Sequence, residues 1–345
     1  MAMRVLPLLL LLAACTGSPP QGDTALEPTP AMRDVLVEYQ NLRPKPLPSL
    51  PIERARRHPT LVDAARAIPN THGLPAPSVE VPQVSELTAA GAETPLAARL
   101  YRPALARNTP VIIAFTGGTW VTPSLDAFDE TARQLAIRTG YVVVAIQTRA
   151  APEAAFPAIH ADAFAAYRWA LGELRAWGAD PTRVVLAGEG SSATLAMVVA
   201  ETTRRLHDPE LPAPDHLLLI TPQVTTALDD ASMGDSRRAQ PLTRRIVAWA
   251  QDEYAPSDRD LADPRMNPGT QALTGLPPAT LVMAGIDPLR SQGETLAAAL
   301  QQAGVRVSAR TWPGVTHGFF GLGNTVPDAA AAEDWVADRL RAAFR

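Results

Sequence analysis

Short β-branched apolar runs alternate along this chain with longer stretches whose apolar positions recur at helical spacing. Residues 111–115, 141–146, 184–187, 217–220 and 280–284 are nearly continuous apolar runs bounded by turn residues. That pattern predicts strands covered on both faces. Residues 304–311 predict a further strand, and 79–84 with 97–101 predict an opening hairpin or a pair of edge strands. Between them, Leu125, Phe128, Leu135 and Ile137 mark one helical face. Residues 158–177 predict a second helix, Leu195, Val198 and Val199 a third, and 329–344 a closing one. Strands alternating with helices predict an α/β fold with a mostly parallel sheet and helices on both faces. Two helical, strandless segments, about 31–67 and 223–275, are expected to form a cap.

The first thirty residues follow other rules. Arg4 precedes an apolar run at 8–12 and then Leu12-Ala13-Ala14-Cys15. This is the shape of a secretory signal over residues 1–14, and the run is too short to span a bilayer as a helix. Leu-Ala-Ala-Cys resembles the bacterial lipobox, which implies cleavage before Cys15, lipidation of its sulfur and a membrane anchor at the cell envelope. An ordinary signal peptide with an incidental cysteine is the other reading. Thr16 after the cysteine, where aspartate would retain such a protein at the inner membrane, points to the outer one. Residues 16–30, with Pro19-Pro20, Pro28 and Pro30, read as a tether reaching up to ~45 Å. The folded domain is then expected over 31–345.

Composition narrows the remaining classes. At 345 residues and 46% hydrophobic content the chain can bury a large core. A net charge of −4 provides no basic face, so no nucleic-acid partner is expected. One cysteine excludes an internal disulfide. The histidines at 58, 72, 160, 207 and 216 show no ligand spacing, so neither a metal nor a cofactor is expected. The near-absence of lysine, with Lys45 alone, reads as coding bias and not as function.

Candidate chemistry lies in four loops at the carboxyl ends of the predicted strands, where ligands sit in such folds. The first is Phe115-Thr116-Gly117-Gly118-Thr119-Trp120, a Gly-Gly turn directly after a predicted strand. The second is Arg149-Ala150-Ala151-Pro152-Glu153 followed by Asp162. The third is Gly188-Glu189-Gly190-Ser191-Ser192, between a strand and a helix. The fourth pairs Gly285-Ile286-Asp287-Pro288 with Thr316-His317-Gly318-Phe319.

Together these loops resemble the hormone-sensitive-lipase-like esterases of the α/β-hydrolase fold. The likeness runs from about Asp34 to Phe344 and includes the flanking runs Arg43-Pro44-Lys45-Pro46-Leu47-Pro48 and Leu100-Tyr101-Arg102-Pro103. In that family the first loop is His-Gly-Gly-Gly-Trp, so Thr116 and Thr119 are departures. The resemblance implies an oxyanion hole at Gly117, Gly118, Thr119 and Ser191. The second loop corresponds to Asp-Tyr-Arg-Leu-Ala-Pro-Glu, with Gln147-Thr148 replacing the first pair, and its role is to brace the site. Asp287 and His317 map onto the acid and the base of a Ser-His-Asp triad, in the chain order expected for this fold.

The nucleophile elbow decides the expected chemistry. The family has Gly-Asp-Ser-Ala-Gly-Gly; here Gly190 falls on the nucleophile position, Glu189 on the aspartate and Ser192 on a motif glycine. Glycine tolerates the strained turn while deleting the attacking hydroxyl. The expected protein is therefore an impaired esterase homologue that binds a small apolar ester- or acyl-type ligand or a partner at the envelope. Ser191 or Ser192 acting as a relocated nucleophile with His317 and Asp287 is the alternative, and water activated by His317 or Glu189 a weaker third. Both serines are otherwise expected to cap the following helix. With Thr116 and Thr119 altered as well, Gly190→Ser alone is expected to restore little.

Overall fold

The apolar runs are continuous because the strands are covered on both sides. The computed structural model describes residues 27–68, 78–104, 107–234 and 240–345. The signal segment, Cys15, most of the tether and His72 lie outside the described residues. The strands are β1 (Gln83–Ala89), β2 (Leu96–Arg102), β3 (Thr109–Phe115), β4 (Val142–Ile146), β5 (Ala179–Glu189), β6 (His216–Ile220), β7 (Ala279–Ile286) and β8 (Val307–Thr316). The helices are α1 (Pro30–Asn41), α2 (Ile52–Ala55), α3 (Leu61–Ala67), α4 (Leu125–Thr139), α5 (Ala158–Glu173) and α6 (Ser192–Leu206). They continue with α7 (Ala231–Gly234), α8 (Arg244–Tyr254), α9 (Asp258–Leu261), α10 (Arg290–Gln302) and α11 (Pro327–Ala343).

One eight-stranded sheet runs in the order β1-β2-β4-β3-β5-β6-β7-β8. β1 pairs antiparallel with β2, and β2 antiparallel with β4; every pairing from β4 to β8 is parallel. Val111, Ile113 and Phe115 of β3 enter the core under α5, α6 and α10, while Ile112 and Ala114 enter the core under α4 and α11. The same alternation holds in β4 and β5. Truncating a buried isoleucine or leucine of these strands to alanine costs about 2–5 kcal/mol.

Boundaries differ from expectation at several elements, among them β5, which begins at Ala179 and not at residue 184. β1 begins at Gln83, not at residue 79. Val81 is buried in the core ahead of the strand, Pro82 offers no N–H to a ladder, and β1 itself is a polar edge strand. β8 is displaced toward the carboxyl end and runs to Thr316, the residue before His317. α5 ends at Glu173, with Trp177 in the turn beyond it.

The two strandless segments meet over the carboxyl ends of the strands. Gln40 Nε2 donates to Gln240 Oε1 at 2.7 Å. The first segment is also anchored to the sheet: Met32 and Val35 of α1 are buried with Trp312 and Val315 of β8. Among the described residues no helix is long and apolar enough to cross a membrane.

Candidate active site

The turn from β5 to α6 leaves no room for a side chain at Gly188, where a Cβ would stand 2.2 Å from the Ser192 carbonyl oxygen. Two residues on, Gly190 has φ +58°. Its N–H donates to Ile220 O at 3.0 Å, and its carbonyl accepts from Gln223 N at 3.0 Å. Both bonds fix the turn to the end of β6. A first side-chain carbon at Gly190 would lie 3.5 Å from both Cε1 and Nε2 of the His317 ring. Residue 190 is thus the position that faces the histidine.

His317 follows β8, and its Nδ1 donates to Asp287 Oδ2 at 2.9 Å. Asp287 follows β7, and its other oxygen accepts the Leu289 N–H at 2.8 Å, which orients the carboxylate. With Nδ1 committed, Nε2 is the nitrogen left to act as base. Burial alone would lower the His317 ring, but Asp287, and Glu189 after it, more than offset this and hold it above the ordinary histidine value.

Neither neighbouring serine caps α6. The Ser191 hydroxyl donates to Gly118 O at 3.2 Å, and the buried Ser192 hydroxyl donates to Thr116 O at 2.7 Å. The helix entrance faces the oxyanion loop, whose turned carbonyls attract these hydroxyls more directly than the helix N–H groups do. Within the described chain, His317 has a hydrogen bond to Asp287 and none to either serine.

The oxyanion loop keeps its shape with one donor removed. Gly118 has φ +111°, and a Cβ there would meet Thr122 O at 2.4 Å, so the position requires glycine. Thr119 is turned away: its N–H donates to Thr122 Oγ1 at 3.3 Å, and its own hydroxyl accepts from Val121 N at 3.2 Å. Thr119 is therefore not a free oxyanion donor. The N–H groups of Gly117, Gly118 and Ser191 donate to no other atom of the described chain. Behind the loop, Trp120 stacks on Tyr254 with ring centroids 4.7 Å apart. His160 packs against both rings, its Nε2 donating to Arg265 O at 3.0 Å and its Nδ1 accepting the Tyr254 hydroxyl at 2.7 Å.

The second loop braces as the resemblance implies. Arg149 Nε donates at 2.7 Å to Asp162, whose side chain is fully buried, and its other end reaches Glu93. Arg56 bonds Glu153 and the carbonyls of Val121 and Ala151, which ties the cap to this loop. Gln147 Oε1 accepts the Leu125 N–H at 2.9 Å and so caps α4 beside Ser124.

A cavity of about 380 Å³ opens over the dyad. Its floor includes Gly117, Gly118, Glu189 and His317, and its roof comes from both cap segments, among them Leu61, Leu242 and Ile246. Glu189, offered by the sequence only as a weaker candidate for activating water, sits on this floor. It is 8% exposed, and burial pushes its carboxyl up to about 7. The motif marked its position, but a glutamate beside an elbow carries no burial signal of its own.

Comparison with known proteins agrees with this geometry. A family pattern described as α/β-hydrolase fold, Abhydrolase_3, matches residues 112–321. The carboxylic ester hydrolase LipN of Mycobacterium tuberculosis is 34% identical over 273 residues, covering 78% of this chain and 72% of LipN. The ethyl acetate hydrolase of Pseudomonas putida is 32% identical over 251 residues, 71% of this chain and 78% of that protein. Among solved structures, the ester-hydrolase EH1AB1 from the metagenome of Lake Arreo superposes with a TM-score of 0.80 at 30% identity, over 92% of this chain and 99% of the other. The chain belongs to the α/β-hydrolase-fold family of the hormone-sensitive-lipase-like type, among carboxylic ester hydrolases.

Proposed function

We propose that this chain is an esterase-family protein that has lost serine-based turnover and keeps its pocket for an ester- or acyl-type ligand. The observation that carries the reading is the pairing of Gly190 with the intact dyad. The ring of His317 faces a residue that has no hydroxyl to deprotonate. A relocated nucleophile is disfavoured by the same geometry, because the Ser191 and Ser192 hydroxyls are engaged with loop carbonyls. Loss of the nucleophile alone lowers turnover by about 10⁶ in serine hydrolases.

The test is p-nitrophenyl butyrate hydrolysis by the purified protein, measured beside its His317→Ala variant. The proposal expects the natural chain to be within a few-fold of the variant. Robust hydrolysis that is abolished by His317→Ala and by Ser191→Ala or Ser192→Ala would establish the relocated serine instead.

The pocket is better preserved than the altered motifs suggested. The donors at Gly117, Gly118 and Ser191 are uncommitted, and the Gly190 site has space for a first side-chain carbon except for Gly118 O at 3.2 Å. On this geometry Gly190→Ser is expected to gain activity, contrary to the expectation from the motif alone.

A further inference from the structure

Glu189 is a buried polar side chain at the pocket that the acid–base dyad does not employ. Its residue is more than nine-tenths buried, it lines the cavity, and its carboxyl accepts no hydrogen bond within the described chain. The carboxyl faces the cavity, so whatever occupies the cavity supplies its hydrogen bonds. Its location is specific. A Cβ at Gly117 would stand 2.8 Å from Glu189 Oε2 and 3.0 Å from its Cδ, so the carboxyl lies along the glycine turn and requires that Gly117 carry no side chain. A carbonyl oxygen seated against the free N–H groups of Gly117 and Gly118 would come next to Glu189.

Resting on the reading of this cavity as an acyl pocket, we infer that neutral Glu189 donates a hydrogen bond to the carbonyl oxygen of a bound ester or amide, beside the Gly117 and Gly118 N–H groups. An ionised carboxylate has only acceptors to offer and would face the lone pairs of that oxygen.

Glu189 and His317 face each other across this site, and the His317 ring is itself held above its ordinary value. Burial raises the Glu189 carboxyl to about 7, with His317 opposing and Asp287 adding to the rise. The oxyanion loop itself carries no charge. From the cap, Arg57, His58, Asp63 and Arg66 line the same cavity, and Asp126 lines it from α4. Below about 7 the carboxyl is a donor, and above it the donor is lost.

The test is calorimetric binding of N-(4-nitrophenyl)butanamide, an anilide that mimics the ester without its reactive leaving group. The natural chain is expected to bind about three- to tenfold more weakly as pH rises through Glu189's titration. Glu189→Gln, which keeps a permanent N–H donor in nearly the same shape, should bind about equally on both sides of that range. Glu189→Ala should bind weakly throughout, and His317→Gln should keep the pH dependence but move it to higher pH, because the His317 ring holds Glu189's titration down. The inference is overturned if the natural chain binds the anilide independently of pH, or not at all. It is also overturned if Glu189→Gln retains the dependence while His317→Gln loses it. If Glu189→Gln fails to fold, the His317→Gln profile decides, since a dependence lost there overturns the inference. Failure here leaves the loss of serine turnover standing, since that is read from ester hydrolysis and not from anilide binding.

Discussion

At Gly190 one atom group separates two chemistries. The backbone at φ +58° is the conformation a nucleophile elbow demands, and glycine holds it without strain. A serine there would carry about 1–3 kcal/mol of backbone strain. Its first carbon would also press on Gly118 O at 3.2 Å. Gly190→Ser is therefore expected to lower thermal stability by that order while raising p-nitrophenyl butyrate hydrolysis by at least ~10²-fold. Thermal unfolding and steady-state kinetics on one preparation check both halves. The missing hydroxyl was legible in the sequence because a motif fixes the spacing of its residues. The environment of Glu189 was not, since its burial depends on Gly117 from a loop more than seventy positions earlier in the chain.

The elements hold the site by contact between backbones. Gly188 lets β5 run into α6 with no intervening side chain, so Gly188→Ala would drive a methyl into the Ser192 carbonyl at 2.2 Å. Because backbone cannot rotate away as a side chain can, the expected loss is roughly 3 kcal/mol or more. Chemical denaturation should show it, and a variant as stable as the natural chain would mean that the turn is looser than described. The buried strands were readable from their β-branched runs. The edge strand β1 was readable as a partner of β2 but not in its bounds, because a half-exposed strand is mostly polar and its apolar neighbour Val81 lies just before it. The serines at the start of α6 misled for a related reason: cap propensity is local, whereas the carbonyls they bond belong to the oxyanion loop after β3.

Over the whole molecule, buried ionisable groups link the site's framework to pH. Glu333 on α11 accepts the N–H groups of Gly321 and Gly323, each at 3.0 Å, and so pins the loop that follows His317. Arg138 Nε lies 3.0 Å from its other oxygen, without hydrogen-bond geometry. Burial outweighs these partners and raises the Glu333 carboxyl from 4.5 to about 7. The folded chain then holds that proton longer than the unfolded one. The stability contributed is fully present below 4.5 and is lost as pH rises to about 7. Buried His160 and His216, lowered to about 4, act in the opposite sense over much of the same range. Glu333→Gln removes one side of that balance. It should gain up to about 3 kcal/mol relative to the natural chain across the window. Melting temperatures of both proteins at the two ends of the window read this directly, and an unchanged difference would contradict it.

The central claim is that the fold, dyad and oxyanion turn persist around an absent nucleophile. The most direct measurement is intact-mass analysis of the natural chain and Gly190→Ser after exposure to a fluorophosphonate, which adds to an activated serine. The account predicts no adduct on the natural chain, and one adduct on Gly190→Ser that disappears when His317 is also replaced by alanine. An adduct on Ser191 or Ser192 of the natural chain would contradict it.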